Sequence, residues 1–506
     1  MPQATPQQKV NVFRDYSPTF WTANVMELFE RAAYYGMNSI LAGYLTLSVA
    51  EGGLGFSTQS VGFLQGIVYA FTYVFPILGG ALADRYGYRR MLMVAFSLLA
   101  TGYFAAGHAS AYALVFLALL VMATGSGLFK PIITGTVART TDERTSAFGF
   151  GIYYWMINLG AFLAPLVVSV LKGFDWKYVF IASSAYCAAM LIPAVFVFRE
   201  PARPESTKRL KDVLAGAAEV LGDARFMLMV VVYSVFWILY FQTFGSVLWY
   251  LRDVIDKEPV SAAVTSLLHG IGLDVTFTFD IEHVTVINAG TIVLLQVIVS
   301  RIVATRPALP TMVAGMLLGA GGFALLALSV SPWVFIAGIA LFSIGEMTAH
   351  PKYYSFIGLV APQDRKAVYM GYAFLYGVFG SLLGSNLGAF AYARVIEPAL
   401  GTAAIGGRAT LFWLMFAVLD IVAVLAMVVF FKKFGDDTPD TRARAARTMH
   451  LVYGLIAVLG AAFLVMGLAA DPMQIRTVVQ ALIFLGLGLG GIVIVRRGRG
   501  REHVTT

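Results

Sequence analysis

The sequence predicts an all-α integral membrane protein of fourteen transmembrane helices. Three observations point there. Of 506 residues, 59% are hydrophobic and only 13% charged, and the mean hydropathy is +0.77; a soluble chain carries about a quarter charged residues. Apolar runs of about 20 residues, the length that crosses a hydrocarbon core of about 30 Å, recur from end to end. Basic residues gather in every second loop, as they do on the cytoplasmic side of a membrane.

The first twelve runs lie at 22–49, 60–83, 89–107, 111–134, 147–171, 178–198, 226–251, 285–303, 309–330, 332–359, 368–393 and 411–433. Two more follow at 450–469 and 475–495. Fifty glycines suit this class, because small residues let membrane helices approach closely. One set of loops holds Arg85, Arg89 and Arg90; Arg139 and Arg144; Arg199, Arg203, Lys208, Arg209 and Lys211; Arg301 and Arg306; Arg365 and Lys366; and Lys432, Lys433, Arg442, Arg444 and Arg447. The loops near 51–59, 107–111 and 329–332 hold no lysine or arginine. The positive set is expected to be cytoplasmic, with both termini on that side.

The formal charge of +8 follows from that sorting, so nucleic acid is not expected as a partner. The single cysteine, Cys187, sits in an apolar run and has no partner for an internal disulfide. The polar N-terminal stretch lacks the short apolar core of a cleavable signal, so the first transmembrane helix is expected to direct insertion. Residues 199–225 contain Pro201, Pro204 and an amphipathic segment, KDVLAGAAEVLG, and read as a cytoplasmic linker bearing an interfacial helix. The longest loop on the other side, 256–284, carries no readable motif. The two terminal spans are nearly free of ionisable residues and are expected to face lipid.

Ionisable residues inside spans are the most informative feature, since each costs about 2.5–3.5 kcal/mol at a helix centre and persists when paired or facing a watery cavity. The first span carries Glu27, Glu30 and Arg31. Glu27 and Arg31 are four apart and share a face, while Glu30 points to one side. Two acids beside one arginine suit a proton relay; the competing reading is a fixed ion pair that pins helices. Lys130 in the fourth span either faces inward or snorkels, and the neighbouring Gly125, Gly127 and Pro131 favour a closely packed, inward position. In the tenth span Glu346 and His350 share a face and either exchange a proton or form a static pair. Lys352 lies nearer the helix end and is expected to snorkel. Tyr34, Tyr35, Tyr73, Tyr153, Tyr154 and Trp155 accompany these charges, as cavity wall or as interface belt. Asn158 and Asn288 lie in apolar surroundings and need hydrogen-bond partners. There is no phosphate-binding loop and no Cys/His cluster for zinc.

The segment GGALADRYGYRR (79–90) resembles the signature of the major facilitator superfamily, with Gly80, Asp84, Arg85, Gly87, Arg89 and Arg90 at its positions, and implies a cytoplasmic charge latch. ELFERAAYYG (27–36) resembles the first-helix motif of proton-coupled oligopeptide transporters. FGFGIYYWMINLGAF (148–162), GLFKP and GEMTAHP are similar to that family's fifth-, fourth- and tenth-helix segments. The resemblance covers the twelve-helix core. It implies two six-helix bundles, 1–198 and 226–434, joined by the linker 199–225, with residues 435–506 adding two transmembrane helices and a basic tail.

The resemblance further implies proton-driven symport of di- and tripeptides by alternating access. Glu27, Glu30 and Arg31 match the coupling motif; a proton site in the second half would rest on Glu346 and His350. Lys130 matches the lysine that faces a substrate carboxylate. Tyr34, Tyr35, Tyr73, Asn158, Gln242, Asn288 and Glu346 match substrate-cavity positions, with Glu346 facing the peptide amino group. The chain departs from the pattern at Asn38, where a second basic residue is usual. Phe241 stands before Gln242 in place of an acid, Ala373 replaces a tryptophan, and His350 and Lys352 are unusual. The extra helix pair is C-terminal rather than between the halves. These departures favour an alternative solute: a modified peptide, a siderophore-like compound, an anion or a drug. A membrane enzyme or a non-transporting receptor is the third class, and no catalytic constellation supports it. The expectations are a monomer in a bacterial inner membrane, no cofactor beyond the proton gradient, and a small solute, protons and lipid as partners.

Overall fold

The computed structural model describes residues 14–142, 144–201, 210–361, 366–436, 438–469 and 475–502. Arg203, Pro204, Lys208, Arg209 and Arg365 of the basic loops lie outside the described residues. The helices run α1 Pro18–Thr46, α2 Thr58–Tyr86, α3 Tyr88–His108, α4 Tyr112–Arg139, α5 Ser146–Leu171, α6 Lys177–Ala189, α7 Leu191–Phe196, α8 Leu210–Gly222, α9 Ala224–Gln242 and α10 Ser246–Asp253. They continue with α11 Glu258–Gly270, α12 His283–Val303, α13 Ala308–Leu328, α14 Pro332–Val360, α15 Lys366–Tyr372, α16 Leu375–Ala391, α17 Ile405–Phe434, α18 Pro439–Ala469 and α19 Ile475–Glu502.

Thirteen spans among the described residues are long and apolar enough to cross a membrane. α1, 29 residues long and carrying Glu27, Glu30 and Arg31, makes the fourteenth. Local chemistry sets the ends. Ser17 caps α1, its hydroxyl accepting from the Phe20 N–H at 3.2 Å with Pro18 at the first turn. Asp223 caps α9 through the Arg225 and Phe226 N–H groups. A single residue, Gly87, joins α2 to α3 at φ +97°, a backbone region comfortable only for glycine.

The observed elements differ from the sequence expectation in four places. The sixth span breaks at Met190, before Pro193, into α6 and α7. The seventh breaks between Gln242 and Ser246, where Gly245 adopts φ −136° and ψ −100°. The eleventh breaks at Ala373–Phe374 and ends in a single turn of π-helix at Tyr392–Ile396. The loop 256–284 holds α11, a 13-residue helix too short to register as a membrane run. The amphipathic linker segment forms α8, which packs against α2, α9, α15 and α19.

α1–α7 form one six-helix bundle and α9–α17 the other. Glycines bring backbones together inside each. Gly79 and Gly127 put α2 against α4 immediately before Lys130, and Gly125 fits α4 against Ala95 and Leu99 of α3. In the second bundle α13 and α14 meet so closely that a methyl group at Gly322 would lie 2.6 Å from the Gly338 carbonyl oxygen and 2.8 Å from the Phe342 nitrogen. Both are backbone atoms and cannot rotate away. Gly322→Ala is therefore expected to cost about 1–3 kcal/mol, as overpacking does, read as a lower thermal midpoint of the purified protein. The bundles meet along α2 and α16, where Gly62 faces Ala389, and along α5 and α12, where Gly290 faces Phe162.

α18 and α19 present most of their surface outward, as expected of a peripheral pair. Yet α19 is not independent of the core. Arg476 donates to the Ser60 hydroxyl of α2 at 2.8 Å, and Gln480 donates to Asn386 of α16. The extra hairpin thus touches both bundles at the α2–α16 seam.

Candidate functional site

The charged cluster of α1 is buried, with Glu27, Glu30 and Arg31 all under 5% exposed. Arg31 Nε lies 3.5 Å from Glu27 Oε1, the helix-face pair the spacing predicts. Its shorter contacts, however, go to the adjacent Glu30, which the sequence reading had pointing to one side. Ser126 of α4 completes the group, donating to Glu30 Oε1 at 3.0 Å. Among the described residues no hydrogen bond reaches Glu27 Oε2. The guanidinium also lies over the Tyr34 ring at 4.9 Å and the Tyr35 ring at 5.9 Å.

Lys130 projects inward rather than snorkelling. Its ammonium sits 5.4 Å over the ring of Tyr73, and no carboxylate is paired with it among the described residues. Opposite, on α14, Glu346 Oε2 accepts from Asn288 of α12 at 3.1 Å, and the same amide donates to Ser343 at 2.8 Å. Tyr35 lies between the two walls, within electrostatic reach of both Arg31 and Glu346. First-half cations and a second-half acid therefore approach the same two tyrosines, Tyr35 and Tyr73.

Other assignments need correction. Glu346 and His350 share a helix face but form no pair with each other. His350 points instead into a ring cage, with Tyr233 Oη at 3.3 Å from Nδ1, Tyr376 Oη at 3.5 Å from Nε2, and Trp237 and Tyr354 around it. Gln242 was expected to meet substrate, but it is 1% exposed and its amide is fully used: it donates to the Ile238 and Gly384 carbonyls and accepts from Ser246. It pins α9 to α16. Asn158 donates to the Tyr154 carbonyl of its own helix. Lys352 does not reach for solvent; it caps the end of α12 through the Ala304 and Arg306 carbonyls. Ala373 does not remove the aromatic wall. Its carbonyl accepts from Tyr353 at 2.8 Å, and Tyr353, Tyr354, Tyr376, Tyr233 and Trp237 build the wall from other positions.

Sequence reasoning also passed over a buried polar chain. Asn38 accepts from Tyr69 at 2.7 Å, Gln65 donates to Tyr69 at 3.0 Å and to the Phe244 carbonyl at 2.8 Å, tying α1 and α2 to the break in the seventh span. Asp420, a lone acid in α17, is wholly buried against Gly319 of α13. A polar residue in a long apolar run is the signal that would have found both.

On the face opposite the chain termini, ionic contacts join the halves. Lys172, just beyond α5, lies 2.5 Å from Asp280 and 2.6 Å from Glu282, and Lys257 lies 2.9 Å from Asp280. Burial disfavours these charges, yet Lys172 and Lys257 hold Asp280 below the ordinary carboxylate range. Burial likewise opposes the charge of Lys172, and Glu282 and Asp280 raise it above the ordinary lysine range. Arg252 of α10 adds bonds to the Gly43 carbonyl and to Thr46 of α1. The superfamily motif forms its latch within the first half, where Arg139 of α4 donates to Asp84 at 3.0 Å. Among the described residues no group of three or more metal-ligating side chains gathers.

Two helical bundles around a charged, tyrosine-lined interior define a secondary-transporter architecture. The family description "Major Facilitator Superfamily" matches residues 31–385, and the chain belongs to that superfamily. It is accordingly a multi-pass membrane transport protein and not an enzyme. Within the superfamily the proteins it is similar to include peptide transporters. It is 30% identical over 174 residues to the "Peptide transporter YePEPT" of Yersinia enterocolitica, covering 33% of this chain and 34% of that protein. It is 30% identical over 206 residues to a "Di-/tripeptide transporter" of Lactococcus lactis, covering 37% and 41%. The chain thus spans well under half the length of these relatives. A solved structure described as "peptide transporter POT in complex with sulfate" superposes with a TM-score of 0.69 at 19% identity, covering 85% of this chain and 96% of that one. Another, a POT family transporter in complex with 5-aminolevulinic acid, gives 0.68 at 21% identity, covering 85% and 98%.

Proposed function

We propose that this chain is a proton-coupled symporter of di- and tripeptides or peptide-like solutes, working by alternating access between its two halves. The polarity of the interior carries this reading: Arg31 and Lys130 on one wall, Glu346 on the other. A zwitterion laid across that space presents its carboxylate to the cations and its amino group to Glu346. Tyr34, Tyr35, Tyr73 and Asn288 line its path. Glu27, Glu30 and Arg31 form the coupling group, and Glu27, with one oxygen unpaired, is the acid best placed to take a proton. Glu346 and His350 serve the second half separately, given their different surroundings. The relatives' names favour peptides as the solute class.

The setting that fits is a bacterial inner membrane, with both termini cytoplasmic by the loop charges, a monomer within lipid, and the proton gradient in place of a resident cofactor. A second reading, a modified peptide or non-peptide solute, is favoured by Asn38. It stands where a second cation is usual and is already committed to Tyr69.

The test is uptake of labelled dialanine into proteoliposomes with an outside-acidic, inside-negative gradient. Wild type is expected to accumulate the peptide. Glu27→Gln is expected to fall to the level of empty liposomes under the gradient while retaining exchange of peptide for peptide. Failure of wild type across a broad peptide panel would discard ordinary peptides and leave the second reading.

A further inference from the structure

The arginines of the segment 84–90 are not all consumed by the latch. Arg139 takes Asp84. Arg89 donates to the Ala194 carbonyl at 3.2 Å and to that of Val195. Glu200 accepts from the Tyr88 and Arg89 N–H groups at 2.7 and 3.1 Å, capping α3 with both oxygens. Arg85, Arg90 and Arg199 remain. All three are exposed, and among the described residues none is paired with a carboxylate. Arg85 has only the ring of Tyr86, at 5.3 Å.

These three, with Arg89, open onto one cavity of about 600 Å³, which Tyr86 and Phe198 also line. That volume lies within the range of small-molecule sites, about 300–1,000 Å³. Among the described residues its single acid is Glu200, already committed to the start of α3, so four guanidinium groups face one carboxylate there. Like charges gathered this way repel unless an anion joins them, and guanidinium groups match phosphate oxygens through paired N–H donors.

The surface beside the cavity selects among anions. Ile192 at the start of α7, Phe196 at its end and Val197, next to Phe198, are 62%, 81% and 50% exposed, and Val94 on α3 is 45% exposed. A soluble anion gains nothing from such a rim. A phospholipid presents a phosphate and, directly attached, acyl chains that cover it. Basic pockets between membrane helices on the cytoplasmic side bind anionic headgroups.

We propose that this cavity, formed where α2 turns into α3 and α7 ends, is a binding site for the headgroup of an anionic phospholipid. Its phosphate lies among Arg85, Arg90 and Arg199 and its acyl chains run along the apolar end of α7. The site lies away from the central interior and serves neither substrate nor proton.

The full-length protein is placed in nanodiscs of phosphatidylcholine, alone or mixed with phosphatidylglycerol. Lipid carried through purification is read by native mass spectrometry, and the thermal midpoint is read alongside, since a bound ligand stabilises the fold. Wild type is expected to retain phosphatidylglycerol and to gain thermal stability from it. Arg90→Gln with Arg199→Gln is expected to retain it about thirtyfold less well, the loss for two basic groups at an anionic surface, with an unchanged midpoint in phosphatidylcholine. Lys432→Gln with Lys433→Gln, at the end of α17, is expected to match wild type. If the arginine pair lowers the midpoint in phosphatidylcholine, Arg199→Gln alone decides, being outside any helix, with about a fivefold loss expected. The proposal is overturned if the arginine variants retain the lipid as wild type does. It is equally overturned if the lysine pair loses as much, or if inorganic phosphate added to phosphatidylcholine discs stabilises the protein as well as phosphatidylglycerol does.

Discussion

Replacing Glu346 by glutamine is expected to weaken uptake of a free dipeptide by roughly two orders of magnitude and to erase the preference for a free amino terminus. Glutamine keeps the shape, and its carbonyl still accepts from Asn288, so the contact to α12 survives. What is lost is the one negative charge on that wall. Truncating one side of a buried charge pair costs about 2–5 kcal/mol, and every 1.4 kcal/mol is a factor of about ten. Wild type should therefore discriminate strongly against an N-acetylated dipeptide, while Glu346→Gln should take up acetylated and free peptide alike. The measurement is competition against labelled dialanine in proteoliposomes. If Glu346→Gln still rejects the acetylated peptide, the amino group is read elsewhere, and the His350 cage becomes the place to look.

The membrane made the helices legible. A bilayer leaves the chain little choice, because each unpaired backbone group in hydrocarbon costs several kcal/mol, so every long apolar run became a span. The breaks were not legible for the same reason. FQTFGSVLWY is as apolar as its surroundings, and only Gly245 marks where α9 gives way to α10. α11 escaped notice because 13 residues in a loop carry no membrane signal.

In the interior, charges stood out against apolar runs, and Glu27, Glu30, Arg31 and Lys130 do converge on one region. Spacing alone did not give every partner. The helix-face rule paired Arg31 with Glu27, whereas a side chain of that length also reaches its neighbour Glu30. It put His350 with Glu346, although two residues on one face still lean toward different helices. Gln242 shows the other limit. A buried amide satisfies itself on whatever carbonyls pass nearby, and here these belong to α9 and α16. Ala373 shows that a missing tryptophan does not empty a wall when Tyr353 of α14 reaches across to its carbonyl and Tyr233 and Tyr376 come from α9 and α16.

Reversing the charge of Lys172 is expected to open the face that the structure holds shut. Lys172 is the first-half member of the cluster with Asp280 and Glu282, at 2.5 and 2.6 Å, so Lys172→Glu sets three carboxylates together where one cation stood. Like charges brought face to face cost several kcal/mol, and about 5.5 kcal/mol carries a two-state equilibrium from 99:1 to 1:99. The effect should appear as distance. Spin labels at Val49 of the first half and Ile271 of the second, both well exposed, report the separation of the halves across this face. Cys187 is buried and is the chain's one cysteine, so Cys187→Ser gives a clean background. The distance distribution should move to longer values in Lys172→Glu and stay short in Lys172→Arg. The latch should also be indifferent to pH near neutrality. The depressed Asp280 contributes above the usual carboxylate pKa and is lost only as pH falls through its lowered value. The raised Lys172 contributes below the usual lysine pKa and is lost only as pH rises through its raised value. Between those limits both charges persist, so a wild-type distance that lengthens between mildly acidic and neutral pH would place the proton's leverage on this face. An unchanged distance leaves that leverage with the carboxylates around Arg31, where a single proton alters the balance of two acids against one base.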